Sequence, residues 1–295
     1  LLAIGGILVM DQLMNIGQFV AAEIIILLIM NSVETLISSL ETIYDVLTGI
    51  EKVGQVTDLE LEKNTGLDVE VECQSPGMQV DLVNLSFKYP QNERLTLKQL
   101  NLSIKRGSLV SLVGKNGSGK STLIRLLAGL YELQSGQILY DEIGKESFSV
   151  ESLRSAIGDC LSQEELFQGT VFENVTMGKN ISIGKVKEIC RKVHLTDFIN
   201  NLGKGYDTEL DPQGSGLAES TVQKLLVARA ILNAPKLLLV EDNLDAIDDK
   251  EKKDIIDFLR DKSNNWTVIA ATKNEYLIQK SEQVIELENE NIIYD

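Results

Sequence analysis

Basic side chains are scarce in this chain, which carries 28 Lys and Arg residues against 44 Asp and Glu residues over 295 positions. The formal net charge is −16. Phosphate backbones are bound by clustered Lys and Arg, so this balance argues against a nucleic-acid partner. It is typical instead of an acidic domain that faces the cytosol.

Cysteine is rarer still, with three residues, Cys73, Cys160 and Cys190. Their odd number and the lack of a metal-ligand spacing argue against a disulfide framework or a zinc site. We expect buried thiols in a reducing compartment.

The first 50 residues contain no Lys or Arg at all. Two apolar runs, 1–10 and 16–30, flank a short polar break at 11–15, which predicts a helical hairpin. One helix over 17–49 would measure roughly 50 Å at about 1.5 Å per residue, against a lipid core of about 30 Å. We therefore expect a membrane-spanning hairpin whose second arm projects beyond the lipid, in a chain that is a fragment of a longer protein.

The projecting part of the second arm keeps apolar residues at a three-four spacing, which turns one stripe toward a partner helix. The stripe consists of Val33, Leu36, Ile37, Leu40, Ile43, Tyr44, Leu47 and Ile50. Glu23 interrupts the longer apolar run, so a buried hairpin of a soluble protein is the alternative. A carboxylate is costly in lipid, so in a spanning helix Glu23 would face the bundle interior or a water-filled path.

Residues 51–78 are polar, irregular and broken by Gly and Pro, which predicts a linker between a membrane part over 1–50 and a soluble domain over 79–295. The soluble domain alternates strands and helices. Strands are predicted over 80–89, 108–113, 236–240 and 267–271, and helices from Lys120 onward and over 186–193 and 220–232. A strand, a Gly-rich loop and a helix in succession are typical of an α/β nucleotide-binding fold.

The spacing of a P-loop is met in this soluble domain. Its residues are Gly114, Lys115, Asn116, Gly117, Ser118, Gly119, Lys120 and Ser121, followed by Thr122. The glycines let successive backbone N–H groups wrap phosphates, and the following helix adds its positive end. Lys120 would reach the β and γ phosphates, and Ser121 would give its hydroxyl to Mg²⁺. ATP and Mg²⁺ are therefore the predicted cofactors.

Further motifs decide among the P-loop families. Tyr89 resembles the aromatic A-loop residue that stacks on adenine. Gln163 and the run over 166–175 resemble the Q-loop of exporters, and Ala228-Arg229-Ala230 and the strand that ends in Glu241-Asp242 follow in the exporter order. Taken together, residues 80–295 resemble ABC exporters in which transmembrane and ATP-binding parts are fused.

The resemblance implies a fold and a set of roles. The fold is an α/β P-loop ATP-binding cassette with a RecA-like core, an antiparallel β-subdomain and a helical subdomain, preceded by a transmembrane helical hairpin. Gln163 would touch Mg²⁺ or the γ phosphate, Glu241 would hold Mg²⁺, and Asp242 would polarise the attacking water. Asp248 matches the D-loop aspartate. ATP would drive the cassette into a head-to-tail dimer in the cytoplasm, beside the inner membrane.

The sequence departs from this family at the signature motif, usually Leu-Ser-Gly-Gly-Gln. The aligned residues are Leu217, Ala218, Glu219, Ser220 and Thr221. In the family, this loop offers a hydroxyl and backbone N–H groups to the partner's γ phosphate. Ala218 removes the hydroxyl, and Glu219 places a carboxylate near a polyanion, which costs free energy.

The Walker B and switch positions depart as well. The family has Asp then Glu in Walker B, whereas this chain has Glu241 then Asp242, which draws the base back by about one C–C bond; a displacement of about 1 Å can cost about 100-fold in rate. Lys273 occupies the switch-histidine position. It could contact the γ phosphate as a point charge but lacks the hydrogen-bonding roles of an imidazole. The sole histidine, His194, is expected to be a solvated helix residue.

Three functions remain open at this point. The first is the ATP-binding half of an exporter, and resemblance to bacterial peptide and toxin exporters implies peptide or protein cargo. The second is a hydrolytically weak regulatory half that pairs with a competent partner, in a homo- or heterodimer. The third is a soluble P-loop kinase or repair ATPase, disfavoured by the apolar hairpin and the Gln163 segment.

Overall fold

An apolar helical hairpin opens the chain. The structure, a computed structural model, describes residues 2–288 and 291–293, apart from residues 60, 63–64, 70–76, 91, 93, 163 and 242–243. The chain divides into two compact units, Leu1–Glu62 and Lys63–Asp295.

The hairpin has the predicted arms, α1 (Leu2–Met10) and α2 (Ile16–Thr57). Asn15 begins α2 with a capping box: its side chain accepts from the Gln18 backbone N–H at 2.8 Å, and the Gln18 side chain accepts from the Asn15 N–H at 3.1 Å. Such reciprocal bonds satisfy donors that a helix start leaves unpaired. α2 continues past the predicted end near residue 50 because a single glycine, Gly54, costs a helix only about 1 kcal/mol.

The surface of the hairpin is mainly apolar over α1 and the first half of α2, whereas the second half of α2 also exposes Glu34, Glu41 and Asp45. Within residues 2–59 no side chain is buried, and α2 is long and apolar enough to cross a membrane, with a mean hydropathy of 2.0 in its most apolar window. Glu23 lines a cavity of about 420 Å³ between the two helices, with Gly5, Phe19 and Ala22 among its neighbours. α1 thus covers Glu23 on one side, and its place in the interior of a larger bundle stays a prediction.

The second unit is built on strands, and the four strands predicted from the sequence are found within a few residues of their predicted bounds. The strands are β1 (Val80–Phe87), β2 (Leu97–Ile104), β3 (Leu109–Val113), β4 (Ser135–Tyr140), β5 (Ile143–Gly144), β6 (Ile157–Cys160), β7 (Gly169–Thr170), β8 (Glu209–Leu210), β9 (Leu237–Glu241), β10 (Thr267–Ala271), β11 (Gln283–Glu288) and β12 (Asn291–Ile293). The helices are α3 (Lys120–Leu127), α4 (Val150–Ala156), α5 (Val171–Thr176), α6 (Ile183–Lys192), α7 (Thr196–Asn200), α8 (Glu219–Leu232), α9 (Asp249–Arg260) and α10 (Glu275–Lys280).

A mainly parallel sheet forms the centre of this unit, in the strand order β12-β11-β3-β10-β9-β6. β11, β3, β10, β9 and β6 run parallel to their neighbours, and β12 is antiparallel to β11. The inner strands β9 and β10 are buried at every position, as expected for strands covered on both faces. The carboxyl ends of β3, β10, β9 and β6 therefore meet along one edge, where ligands bind in open α/β sheets.

Two further layers flank the central sheet. An antiparallel sheet has the order β2-β1-β4-β5, and β1 and β2 share one apolar core with α3. α5 to α8 pack together in a second core that includes Val175, Val186 and Leu225. The predicted cassette fold, with its antiparallel β-subdomain and helical subdomain, is confirmed.

The predicted linker differs from the structure at both ends. Residues 51–57 complete α2. Farther on, Leu67 forms a bridge with Phe148, and Val69 and Met78 are buried in the cassette core. These apolar side chains give the polar-looking segment enough burial to attach to the cassette.

His194 is also placed differently from expectation. It follows α6 with a positive φ of 57°, and its Nε2 atom lies 3.2 Å from a carboxylate oxygen of Asp254. It is therefore a half-buried turn residue that contacts α9, because α6 ends before it.

Candidate functional site

A cavity of about 400 Å³ lies at the carboxyl edge of the parallel strands. The P-loop enters it after β3, Glu241 ends β9, Lys273 follows β10, and Ser162 follows β6. The cavity is lined by Thr96, Asn116, Gly117, Ser118, Gly119, Lys120, Ser121, Thr122, Ser162, Glu241, Ala271 and Lys273. The topology thus brings together residues that are distant in sequence.

The P-loop wraps the start of α3. Gly119 caps that helix with a φ of 97°, a conformation that favours glycine. A side chain at Gly114 would collide with the carbonyl oxygen of Leu287. The Lys120 ammonium donates to the carbonyl oxygens of Gly114 at 2.8 Å and Lys115 at 2.9 Å, so it lies across the loop, where a phosphate would meet both the ammonium and the helix N-terminus.

Glu241 is held by hydroxyl and backbone donors. Its carboxylate accepts from the Ser162 N–H at 3.1 Å and the Ser162 hydroxyl at 2.9 Å, and it is hydrogen-bonded to Ser121. Burial raises the pKa of Glu241, but these hydrogen bonds and the Arg125 charge outweigh burial and leave the pKa below its ordinary value. An ionised carboxylate beside a P-loop hydroxyl fits a hard cation such as Mg²⁺, which prefers oxygen ligands.

Tyr89 stands two residues after β1, outside the phosphate cavity. Its hydroxyl lies 3.1 Å from the Thr122 hydroxyl on α3. Its ring meets the Phe87 ring edge-on at 5.1 Å and the Tyr131 ring edge-on at 5.3 Å. Tyr89, the predicted base-stacking residue, therefore contacts α3, the helix that follows the P-loop.

The remaining catalytic candidates are placed only in part. Lys273 lines the cavity together with Lys120, which gives the site a second ammonium in place of an imidazole. Gln163 and Asp242 lie outside the described residues, so their roles stay predictions. Their chain neighbours Ser162 and Glu241 belong to the cavity.

The signature residues lie at the start of α8 and do not line this cavity. Ala218 is the N-cap residue of α8 and has no side-chain hydrogen bond to give it, and Glu219 begins the helix and is exposed. Asp248 caps α9 by accepting from the Lys250 N–H at 3.0 Å. Their predicted action across a dimer interface therefore stays a prediction.

The segment after Gln163 is fastened to α8. Arg229 donates from Nε to the Asn174 carbonyl at 3.0 Å and from its guanidinium to the Glu165 carbonyl at 3.2 Å. The buried Asn174 side chain bonds both backbone groups of Phe167, at 3.1 and 2.9 Å. Asn174 and Arg229 thus link this segment to the signature helix.

Three residues near the site were missed from the sequence. Ser162 and Thr96 line the cavity, and Tyr131 packs on Tyr89. Ser162 could have been found from its place beside Gln163 at the end of a strand. Thr96 and Tyr131 belong to none of the motifs described above.

Comparisons with known proteins agree with this geometry. The family described as "ABC transporter" matches residues 97–244. Two relatives from Staphylococcus aureus, of strains RF122 and NCTC 8325, carry provisional names as multidrug export ATP-binding/permease proteins; each is 35% identical over 72% of this chain. The chain spans only 37% of the length of those relatives.

A solved structure of a bacterial Atm1-family ABC exporter with ATP bound is also similar. It is 28% identical, has a TM-score of 0.74, and covers 85% of this chain, while the chain covers 44% of that structure. The match to the family extends over half of the chain and includes the P-loop and Glu241. The chain belongs to the ABC transporter family.

Proposed function

We propose that this chain is the ATP-binding part of an ABC exporter, which couples ATP binding and hydrolysis to transport across a membrane. The observation that carries the proposal is the cavity in which Lys120, Ser121 and Glu241 converge at the carboxyl edge of the sheet. The apolar hairpin of unit Leu1–Glu62 and the names of the relatives support membrane transport. Peptide or protein cargo stays a prediction.

The residues of the cavity, together with Tyr89 and Gln163, would bind different parts of a nucleotide. The P-loop backbone and Lys120 bind the phosphates, while Tyr89 stacks on the base. Ser121 and Glu241, with Gln163, would hold Mg²⁺, which neutralises phosphate charge when bound. Lys273 adds positive charge on the side of the cavity nearest β10, where it would face the γ phosphate. Each of these groups acts on ATP binding before any bond is broken.

A second candidate is a regulatory half that binds ATP but hydrolyses it weakly. The specific observations in its favour are Lys273 inside the cavity and the exposed Glu219 at the start of the signature helix. Asp242, whose side chain is shorter than the glutamate that the family has at this position, also favours this candidate. Such a half would pair with a second half-transporter whose own residues complete a competent site.

Isothermal titration calorimetry of the purified chain tests the proposal. ATP with Mg²⁺ should bind, and Lys120→Ala should abolish binding because the phosphates lose their ammonium partner. Lys98→Ala, which removes an exposed lysine on β2, is the matched control and should bind normally. Unchanged ATP affinity in Lys120→Ala would contradict the P-loop assignment.

Membrane attachment is tested separately by carbonate extraction of cell membranes. The chain should stay in the membrane pellet because residues 2–30 expose a mainly apolar surface. Recovery of the full-length chain in the soluble fraction would revive a soluble P-loop kinase or repair ATPase.

A further inference from the structure

Three aromatic rings form one cluster beside the P-loop helix. Tyr89 meets Phe87 at 5.1 Å between ring centroids and at 80° between ring planes, and it meets Tyr131 at 5.3 Å and 88°. Phe87 and Tyr131 lie 5.6 Å apart. Tyr89 is therefore held edge-on by two neighbours, and edge-to-face contacts of this kind have a preferred geometry.

The hydroxyl of Tyr89 is held independently of its ring. It lies 3.1 Å from the Thr122 hydroxyl on α3. The tyrosine oxygen lies on the Cβ–Cζ axis about which the ring rotates. A hydrogen bond to this oxygen therefore fixes the position of the ring but not its plane. The last torsion of tyrosine is broad, and the plane must be fixed by whatever packs on the ring.

Phe87 and Tyr131 provide that packing from different parts of the chain. Phe87 is buried at the end of β1. Tyr131 lies in the loop after α3 and is only partly buried, but two hydrogen bonds fasten that loop. Lys145 donates to the Tyr131 carbonyl at 3.0 Å, and the Gln134 side chain donates to the Lys88 carbonyl, next to Tyr89, at 3.2 Å.

We propose that Tyr131 is a positioning residue for the nucleobase: its ring sets the plane of Tyr89, so that Tyr89 is ready to stack on the base of a nucleotide whose phosphates occupy the P-loop. This inference rests on the proposed ATP-binding function. Stacking depends on the ring plane, whereas phosphate binding at Lys120 does not. Tyr131 should therefore affect ligands that have a base and leave ligands of phosphate alone unaffected.

The test compares ATP with inorganic tripolyphosphate by calorimetry, each with Mg²⁺. Tyr131→Leu should weaken ATP binding by about 3- to 10-fold, the range expected for loss of one edge-to-face contact, and should leave tripolyphosphate binding unchanged. Tyr131→Phe keeps the ring and should behave as the wild type. Tyr276→Leu, which removes a tyrosine from α10, is the matched control and should change neither ligand.

Tyr89→Ala supplies the second arm of the experiment. If Tyr131 acts through Tyr89, then Tyr131→Leu should have no further effect on ATP affinity in the Tyr89→Ala background. Equal losses for ATP and tripolyphosphate would show a general structural role and overturn the inference, and so would a full effect of Tyr131→Leu without Tyr89. Tyr131→Met, which keeps apolar volume without a ring, replaces the leucine variant if that one does not fold.

The two proposals can fail separately. A wild-type chain that binds ATP, and loses binding in Lys120→Ala, upholds the nucleotide site. Normal ATP affinity in Tyr131→Leu would then overturn the positioning role alone. A wild-type chain that binds neither ATP nor tripolyphosphate would overturn the proposed function itself.

Discussion

Glu241 and Glu164 show how burial, hydrogen bonds and neighbouring charges set the pKa of a carboxylate. Glu241 accepts bonds from Ser162 and Ser121, which keep it ionised. Burial and the neighbouring Asp159 raise the pKa of Glu164 to about 7, although the Leu161 N–H and the Arg229 charge oppose the rise. Glu164 is next to Gln163 in the chain, so the segment of the predicted Q-loop carries a group that titrates near neutral pH.

Replacement of Glu164 tests this directly through stability. The folded-state pKa lies above the model-peptide value of 4.5, so the folded chain holds the proton more tightly. The penalty for ionisation is absent below about pH 4.5, grows as the pH rises, and is complete above about pH 7. Glu164→Gln should therefore have a higher thermal midpoint than the wild type at pH 8, and the difference should shrink toward pH 5.

The geometry of the neutral variant supports that comparison. The glutamine side-chain oxygen can still accept from the Leu161 N–H, as Glu164 does at 3.0 Å. Glu165→Gln makes the same charge change at the adjacent exposed position and should show no such trend. A Glu164→Gln midpoint at or below that of the wild type at pH 8 would contradict the raised pKa.

At the residue scale, the sequence predicted those residues that belong to motifs with a fixed spacing. P-loop residues 116–121 and Glu241 line one cavity, because a strand, a Gly-rich turn and a helix have fixed geometry. The properties of Glu164 and Tyr131 were not predictable, because the pKa of Glu164 depends first on burial and then on Asp159, and the role proposed for Tyr131 depends on its contact with Tyr89.

At the scale of elements, α5 depends on one buried side chain. Asn174 is 1% exposed, bonds Phe167 through both its amide groups, and accepts from Arg229 on α8 at 3.3 Å. It joins the segment after Gln163, α5 and the signature helix. A substitution of Asn174 should therefore destabilise all three segments.

Asn174→Ala should lower the free energy of unfolding by about 3 kcal/mol, because buried backbone groups and part of the Arg229 guanidinium lose their partner. Urea unfolding followed by circular dichroism measures the loss. Asn200→Ala, on the exposed face of α7, is the matched control and should cost under about 0.5 kcal/mol. A cost as small as that of the control would show that Asn174 does not hold these elements together.

The elements themselves were largely readable from the sequence. Strands β3, β9 and β10 and helices α3, α6 and α8 were predicted within a few residues. Buried parallel strands and amphipathic helices such as α3 and α6 have strong patterns. The end of α2 and the turn at His194 were not. Both depend on where a helix stops, and no capping glycine or proline marks either end.

At the scale of the whole molecule, the residues proposed to bind the phosphates of ATP line one cavity, whereas the residues at the positions that act in hydrolysis differ from the family pattern. The residues proposed to bind phosphate come from one chain and line its cavity. The parts that act on the γ phosphate come from two chains in the proposed dimer, and both contributions of this chain are changed. Lys273 replaces the imidazole in its own site, and Ala218 and Glu219 alter what it offers to its partner.

This chain alone should therefore hydrolyse ATP far more slowly than an ordinary cassette, and a homodimer would combine both faults twice. Asp242→Glu alone should help little, because Lys273 and the opposing Glu219 remain. Adding Lys273→His and Glu219→Gly should raise phosphate release by more than the separate gains predict, since residues that share one γ phosphate are not additive. Wild-type turnover of roughly 1 per second or more would refute the expectation, because Glu241, Asp242 and Lys273 would then be adequate replacements.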